Sequence, residues 1–387
     1  MVAFYTNMLN HYNYYSKLHL LEDELSKIYA SLFLKFFALD MVNIFVPIYF
    51  LTLGFSLENI LYFYLVMFVT IGITSPFSAF VSKRFGFNVP ILLSIPLLIF
   101  YLSSIYAIKP LDLTFPLIYL LAIVDGISAA LYWVPLSSIF AIHSDKQHRG
   151  IQVGKLHIFQ KVSSIIAPTL GGTIALFFGF PVLFLLAAFL LFLSVIPLFF
   201  GRGNVKSNIE FSFNKIFSKT HTPFLFAFMS QGILYISSMI FWPIFVYLLL
   251  TDTISVGLIV TISTIGTLAF TYFVGKSSDS FNRGTIMKIG GILFSITWFV
   301  RTFVKTKLWV FGLSLIAGMF AVLIDIPFGA TWLDKANKEN PVEFVVFREI
   351  NLNLGRALLL IIAIFAANTF LVSFSLAGLA SLFFTFF

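Results

Sequence analysis

The chain of 387 residues is 59% hydrophobic and only 10% charged, with a mean hydropathy of +1.00. That composition excludes an ordinary soluble domain and implies a polytopic membrane protein. The absence of cysteine excludes disulfides and thiolate metal sites, and the net charge of +8 has to be read by position before it is taken as a sign of nucleic acid.

Residues 1–26 are polar and rich in Tyr and Asn, without the apolar core of a cleavable signal. Leu18, Leu21, Leu25 and Ile28 recur at helical spacing, which lets this segment lie along the cytoplasmic surface. A membrane span needs roughly 20 apolar residues. Runs of that kind place helices at about 27–53, 57–82, 87–108, 113–142, 151–178 and 180–200. The joint Phe178-Gly179-Phe180-Pro181 separates the fifth helix from the sixth. A second set follows at about 223–250, 254–275, 285–304, 307–333, 341–366 and 368–387. The expected organisation is all-α: an N-terminal cytoplasmic segment over 1–26, a six-helix bundle over 27–200, a cytoplasmic linker over 201–222 and a second six-helix bundle over 223–387. With the N-terminus inside, the loops after even-numbered helices carry Lys83, Arg84, Lys146, Arg149, Arg202, Lys206, Lys276 and further bases, while the opposite loops carry only Lys109, Lys305 and Lys307. This asymmetry predicts twelve transmembrane helices in the cell membrane with both termini cytoplasmic, and it accounts for the positive charge without nucleic acid. Arg301, near the outer end of the ninth helix, is expected to snorkel to the interface.

The chain is internally duplicated. AFVSKRFGFN at 79–88 and GKSSDSFNRG at 275–284 sit 196 residues apart, and FVPIYFL at 45–51 and FWPIFVY at 241–247 keep the same offset, with Pro47 answering Pro243. The first pair reads as polar loops between apolar runs. These loops resemble the Gly-x-x-x-Asp-Arg-x-Gly-Arg-Arg signature that follows the second helix of each half in major facilitator superfamily transporters. Gly275, Asp279 and Arg283 carry the resemblance in the second copy; Arg84 and Gly86 carry it in the first, where Ala79 and Lys83 replace the Gly and Asp. The resemblance implies two pseudo-symmetric six-helix bundles, with loop charges that latch neighbouring helices at a cytoplasmic gate. SSIIAPTLGG at 163–172 resembles the Gly-Pro-x-x-Gly-Gly signature of family antiporters, with Ala167 in place of the first Gly. Pro168, Gly171 and Gly172 then form a helix hinge, or else a close-packed stretch of small residues. In the fourth helix Gly126 fits the Arg-x-x-x-Gly pattern of family exporters, but Ala122 stands at the Arg position. Gly275-Lys276-Ser277 ends like a P-loop, yet Phe270 occupies the required first Gly, so ATP binding is rejected.

Ionisable groups inside a span face a cavity or a partner by default. Asp40 and Asn43 share a face of the first helix with Pro47, and Asp40 near mid-depth can load and release a proton or pair with a neighbouring base. Asp125 lies in the fourth helix, Gln231 in the seventh and Asp325 in the tenth. His157, Lys161 and Ser164 share one face of the fifth helix. Aligning Pro135 with Pro327 gives an offset of 192, which carries them onto Glu349, Asn353 and Arg356, again on one face. Glu349 then lies about 12 Å into its span. Two polar faces at similar depth are what a cavity between repeats requires. Glu349 can carry a proton or hold Arg356 or Lys161, and Arg348 and Arg356 can bind an anionic group. Structural ion pairing competes with each of these readings. Tyr132, Trp133, Tyr235, Trp242 and Trp332 are candidate aromatic walls.

These residues point to a secondary transporter that moves a small amphiphilic organic solute by alternating access. The expected partners are that solute, protons and the lipid bilayer, with no nucleic acid; no cofactor is expected, and the chain is expected to act as a monomer. The antiporter-like motif favours a proton-coupled exporter, with a facilitator or importer of a sugar or organic anion as the alternative. A membrane-embedded enzyme acting on a lipid-linked substrate would draw on His143, Asp145 and His148, which fall in a basic loop better read as solvated.

Overall fold

The computed structural model describes residues 31–106, 108, 115–143, 149–199, 209–218, 221–280 and 282–387, excepting the side chains of 115, 143, 149–160, 195, 197–199, 272–273 and 275–280. The N-terminal segment over 1–26, linker residues 201–208 and the side chains of His143, Asp145 and His148 lie outside the described residues.

In the first half, α1 covers Ser31–Thr52, α2 Leu57–Phe85, α3 Asn88–Tyr106 and α4 Phe115–His143. The helical run Arg149–Phe199 is divided at Gly179, whose φ of 83° disfavours any residue with a side chain, into α5 at 149–178 and α6 at 180–199. In the second half, α7 covers Thr222–Leu250, α8 Thr253–Ser280, α9 Arg283–Arg301, α10 Lys307–Lys338, α11 Pro341–Ile364 and α12 Thr369–Phe383. Among the described residues nine helices are long and apolar enough to cross a membrane. That count takes α5 and α6 as one and leaves out α9 and α11, which carry Arg283, Lys288 and Arg301, and Glu343, Arg348, Glu349 and Arg356, respectively.

The duplication appears in caps and close contacts as well as in sequence. Ser56 caps α2 by accepting from the Asn59 N–H at 3.2 Å, and Asp252, 196 residues later, caps α8 by accepting from the Ser255 N–H at 2.6 Å. Partial burial alone would raise the Asp252 carboxyl, but Ser255, through its N–H, and the Lys307 ammonium hold it below the usual carboxylate range. α1 is interrupted at residues 43–45 just before Pro47, and α7 widens into a π-helical turn at Ser237–Phe241 just before Pro243. Each proline lacks the N–H that its fourth preceding carbonyl would accept. Gly126 of α4 lies against the backbone oxygen of Met67 on α2, and Gly318 of α10 against that of Ser263 on α8, so closely that a Cβ at either glycine would collide. Met67 and Ser263 are 196 residues apart and Gly126 and Gly318 are 192 apart, which are the two offsets read from sequence. Helix pairing follows the same rule. α2–α4 and α3–α4 contacts recur as α8–α10 and α9–α10. Between the halves α2 packs on α11 and α5 on α8, and each pair becomes the other when helix numbers advance by six.

The segments read as polar loops are mostly helix. α2 runs through Lys83 and Arg84 to Phe85, and α8 runs through Asp279 to Ser280, so the first turn shrinks to residues 86–87 and α9 begins at Arg283. Polar residues continue a helix readily; what stops it is Gly86 with φ 86°, and Asn282, whose side chain accepts from the Gly284 N–H to start α9. Linker residues 209–218 touch both halves. Lys83 Nζ donates to the Phe211 carbonyl at 3.0 Å, Asn340 Nδ2 to the Glu210 carbonyl at 3.0 Å, and the Ser212 N–H to Glu343 Oε1 at 2.9 Å.

Candidate functional site

α1 presents Asp40 to α5, where its Oδ2 accepts from the Ser163 and Ser164 hydroxyls, each at 2.8 Å. Hydrogen bonds to a charged acceptor contribute about 1.5–3 kcal/mol each, so two hydroxyls can stabilise a carboxylate without a base. Lys161 is within electrostatic range of Asp40 but forms no ion pair with it. Asn43 falls in the interruption of α1, is exposed, and makes no side-chain hydrogen bond among the described residues. α5 stays helical through Pro168, and its small residues serve as contact points. Gly171 meets α1 at Met41, Gly172 meets α8 at Thr253, and Gly257 of α8 meets the Pro168 carbonyl. Thr253 Oγ1 donates to the Gly172 carbonyl at 2.8 Å and Thr261 Oγ1 to the Ile165 carbonyl at 2.6 Å, which fastens the end assigned by charge to the outside.

α11 carries a connected polar series. Glu349 is buried, and its Oε1 accepts from Nη1 of the adjacent Arg348 at 2.6 Å rather than from Arg356 or Lys161. The long Arg348 side chain folds back beside its own helix and lies 4.8 Å from the Trp332 ring centre. Asn353 donates to the Glu349 carbonyl at 2.7 Å and accepts from Arg356 Nη1 at 3.0 Å. Arg356 in turn lies over the rings of Tyr235 at 4.4 Å and Phe68 at 5.0 Å.

These groups converge. Tyr235 of α7, 46% exposed, is within electrostatic range of Asp40 on α1, Asp125 on α4, and Glu349 and Arg356 on α11. Lys161 of α5 is in range of both Asp40 and Asp325 of α10. Three helices of the first half and two of the second thus send charge into one region, with Tyr235 of α7 among them. Asp125 has no hydrogen-bond donor among the described residues, although the phenols of Tyr64 and Tyr101 are in electrostatic range. Gln231 keeps a buried Oε1 without a donor among the described residues. The side chain of His157 lies outside the described residues. Ser163, Tyr64, Tyr101 and Phe68 were not legible as site residues. Ser163 differs from Ser164 only by one helical step, and the other three sit in unbroken apolar runs.

Other expected residues are elsewhere. Arg301 does not snorkel. It is 3% exposed, with its guanidinium 4.3 Å from the Trp242 ring centre and 4.1 Å from that of Trp298. The two indoles supply a face-on electrostatic partner that single-sequence reading could not see. Trp242 accordingly belongs to the interior of the second half and not to a cavity wall. Tyr132 is buried under Lys35, whose Nζ is 3.1 Å from the ring centre. At the other end, Arg283 Nη1 donates to Asp334 Oδ2 at 2.9 Å and ties α9 to α10. Arg84 is exposed beside Phe85, Gly86 ends α2, and the side chains at Gly275 and Asp279 lie outside the described residues.

The Major Facilitator Superfamily model matches residues 28–340 of the chain. One similar solved structure is a POT family transporter in complex with a thioalcohol-conjugated peptide, with a TM-score of 0.72 at 13% identity, covering 94% of this chain and 94% of that one. Another is a mutant of the nucleoside transporter NupG, with a TM-score of 0.70 at 12% identity, covering 94% of this chain and 98% of that one. Among curated proteins none matches the sequence. At such identities the structural likeness establishes the fold.

Proposed function

The chain belongs to the Major Facilitator Superfamily and is a multi-pass membrane transporter rather than an enzyme; from that premise we propose that it moves a small amphiphilic organic solute by alternating access, coupled to protons and in the direction of export. The observation that carries the proposal is the convergence of charge from α1, α4, α5, α10 and α11 on the surroundings of Tyr235 of α7. Charges inside a membrane are costly, and five helices bring them together only where a polar passage needs them. Asp40, Asp125, His157, Lys161, Gln231, Asp325, Glu349, Asn353 and Arg356 form the binding and coupling region in this reading, with Asn43 at the interruption of α1.

Asp40 is the coupling residue. Ionised, it gathers Ser163 and Ser164 and draws α1 to α5. Protonated, it loses the charge that makes those bonds strong. α5 also carries the contact with α8, so protonation at Asp40 bears directly on the outer seal formed by Thr253 and Thr261. Pro168, Gly171 and Gly172 let that segment of α5 adjust as the seal opens. Both termini face the cytoplasm of a cell membrane, and Arg84, Gly86, Gly275, Asp279 and Arg283 form the gate on that side. The protein acts as a monomer.

The test is flux of a solute panel into proteoliposomes holding the purified protein, with and without an imposed pH gradient. The expected result is gradient-stimulated flux that Asp40→Asn uncouples, leaving exchange intact. Flux indifferent both to the gradient and to Asp40→Asn would remove proton coupling; absence of any flux would remove the solute-carrier reading.

A further inference from the structure

Linker residues 209–218 are gripped through their backbone from both halves. On the second half, Asn340 Nδ2 donates to the Glu210 carbonyl at 3.0 Å, and the Ser212 N–H donates to Glu343 Oε1 at 2.9 Å. On the first, Lys83 Nζ of α2 donates to the Phe211 carbonyl at 3.0 Å, and the Phe80 ring centre stands 6.4 Å from that of Phe213. Residues 210–212 thus bridge α2 and α11. Lys83 stands where the loop signature quoted above has Asp, and here the cation at that position reaches the linker.

His221 closes the segment and is 2% exposed. Its Nδ1 is 2.7 Å from the Ile216 carbonyl oxygen, and its Nε2 is 2.7 Å from Oε2 of Glu339, at the end of α10. A carbonyl and a carboxylate only accept, and a neutral imidazole has a single N–H. Lys335 Nζ, 2.6 Å from Glu339 Oε1, favours the ionised carboxylate, so both bonds exist together only when the ring carries two protons. Few other charges face the ring. α11 meets it with the Phe344 and Phe347 rings, at 5.1 and 5.3 Å between centres, and turns Glu343 to Ser212. α7 has no charged residue, and the described linker residues offer the ring the Ile216 carbonyl. Loss of one proton leaves a lone pair against an oxygen, in a site almost closed to water. We propose that residues 209–218 with His221 form a cytoplasmic strap, carried on the second half, hooked to the first through Lys83 and clasped by a doubly protonated His221. The strap fastens as the cytoplasm acidifies and loosens as it turns alkaline.

The part this strap plays in gating rests on the transporter reading, but the clasp can be read without flux. The chain has no cysteine, so a nitroxide on Asn214→Cys, an exposed position outside these bonds, reports on the strap alone. Its mobility is followed in the full-length protein in detergent over about pH 5–8, where an imidazole titrates. Expected is an immobilised label at the acid end, with the ratio of mobile to immobile label rising about ten-fold or more towards the alkaline end, the factor that 1.4 kcal/mol supplies. His221→Gln should abolish this pH response. Glu339→Gln should abolish it too, but with the strap fastened throughout, because the new amide can donate to a neutral ring while its oxygen still accepts from Lys335. Lys83→Met should raise the mobile fraction about two- to five-fold at every pH and leave the response in place. Thermal unfolding of each variant checks the fold; should His221→Gln fail to fold, Glu339→Gln decides. No pH response in the wild type, the wild-type response in His221→Gln, or a strap loose at every pH in Glu339→Gln overturns the clasp. Mobility indifferent to Lys83→Met overturns the hook. A chain that carries no solute leaves the strap standing, and a strap that ignores His221 leaves transport standing.

Discussion

In the first half of the molecule Lys35 has the Tyr132 ring and no hydrogen-bond acceptor among the described residues, and Asp125 has no donor there. In the second half Arg348 pairs with Glu349 and Arg356 with Asn353 along a single helix, although Nε of each arginine keeps no acceptor among the described residues. The repeats share caps, glycine contacts and helix pairing, so this contrast is not inherited from the architecture. A charge already paired in a low-dielectric region contributes to stability, while an unpaired one costs stability and is available to a ligand or a proton. The second half therefore supplies a prebuilt polar wall, and the first half supplies groups that remain free to react.

The largest effect that tests this contrast is expected at Glu349. Replacing it with Leu strands the Arg348 guanidinium, and removal of one partner from a buried pair costs about 3–5 kcal/mol. Asp125→Leu removes a carboxylate that pairs with nothing described, so it should leave stability unchanged or raise it. Thermal unfolding of both variants in detergent measures the difference. A reversed order, with Asp125 the more damaging, would break the comparison.

A smaller effect tests what the halves share. Gly126→Val and Gly318→Val each push side-chain atoms into a facing backbone oxygen, of Met67 and Ser263 respectively. Overpacking of this kind costs about 1–3 kcal/mol. Gly318→Val should be the more costly, because a Cβ there would lie closer to the Ser263 oxygen than a Cβ at Gly126 would to the Met67 oxygen, which it meets at 2.7 Å. If Gly126→Val is as damaging as Gly318→Val or worse, the α2–α4 contact is no looser than its counterpart, and the freedom of the first half stops at its side chains.

Much of the fold was legible because it depends on spacing. The 196 and 192 offsets, read from two loops and two prolines, reappear as the Ser56 and Asp252 caps and as the Gly126 and Gly318 contacts. The joint at Gly179 was visible because glycine next to an aromatic-proline pair marks a chain reversal. Asp40, Asp125, Lys161, Asp325, Glu349 and Arg356 were visible because charge is rare in a span. What spacing could not supply was partner choice. Ser163 and Ser164 are unremarkable on an apolar helix until α1 is laid against them. The sequence offered Glu349 two bases, Arg356 and Lys161, and side-chain direction selects neither of them but the adjacent Arg348. The 275–284 segment shows the converse error: polarity suggested a loop, but polarity does not end a helix, and α8 continues until Ser280.

The smallest expected effect concerns Arg301, the one buried cation of the second half that has no carboxylate among the described residues. Two forces oppose each other there. Desolvated cation–π contacts contribute about 2 kcal/mol each, and Arg301 has two, to Trp242 and Trp298. Burying an unpaired guanidinium costs several kcal/mol, and replacing buried ionic groups with well-packed apolar ones is often neutral or stabilising by about 1–4 kcal/mol. Arg301→Met keeps the long stem between the indoles and removes the charge. Its net effect on thermal unfolding should stay within about 1 kcal/mol, since the lost contacts and the recovered desolvation are of similar size. Arg301→Ala also empties the space between the two rings, so it should be clearly worse than Met. Equal damage from both would mean that the guanidinium itself holds the second half together. The prebuilt wall would then extend from α11 to the far end of α9, and the contrast between the halves would be sharper than the α11 series alone makes it.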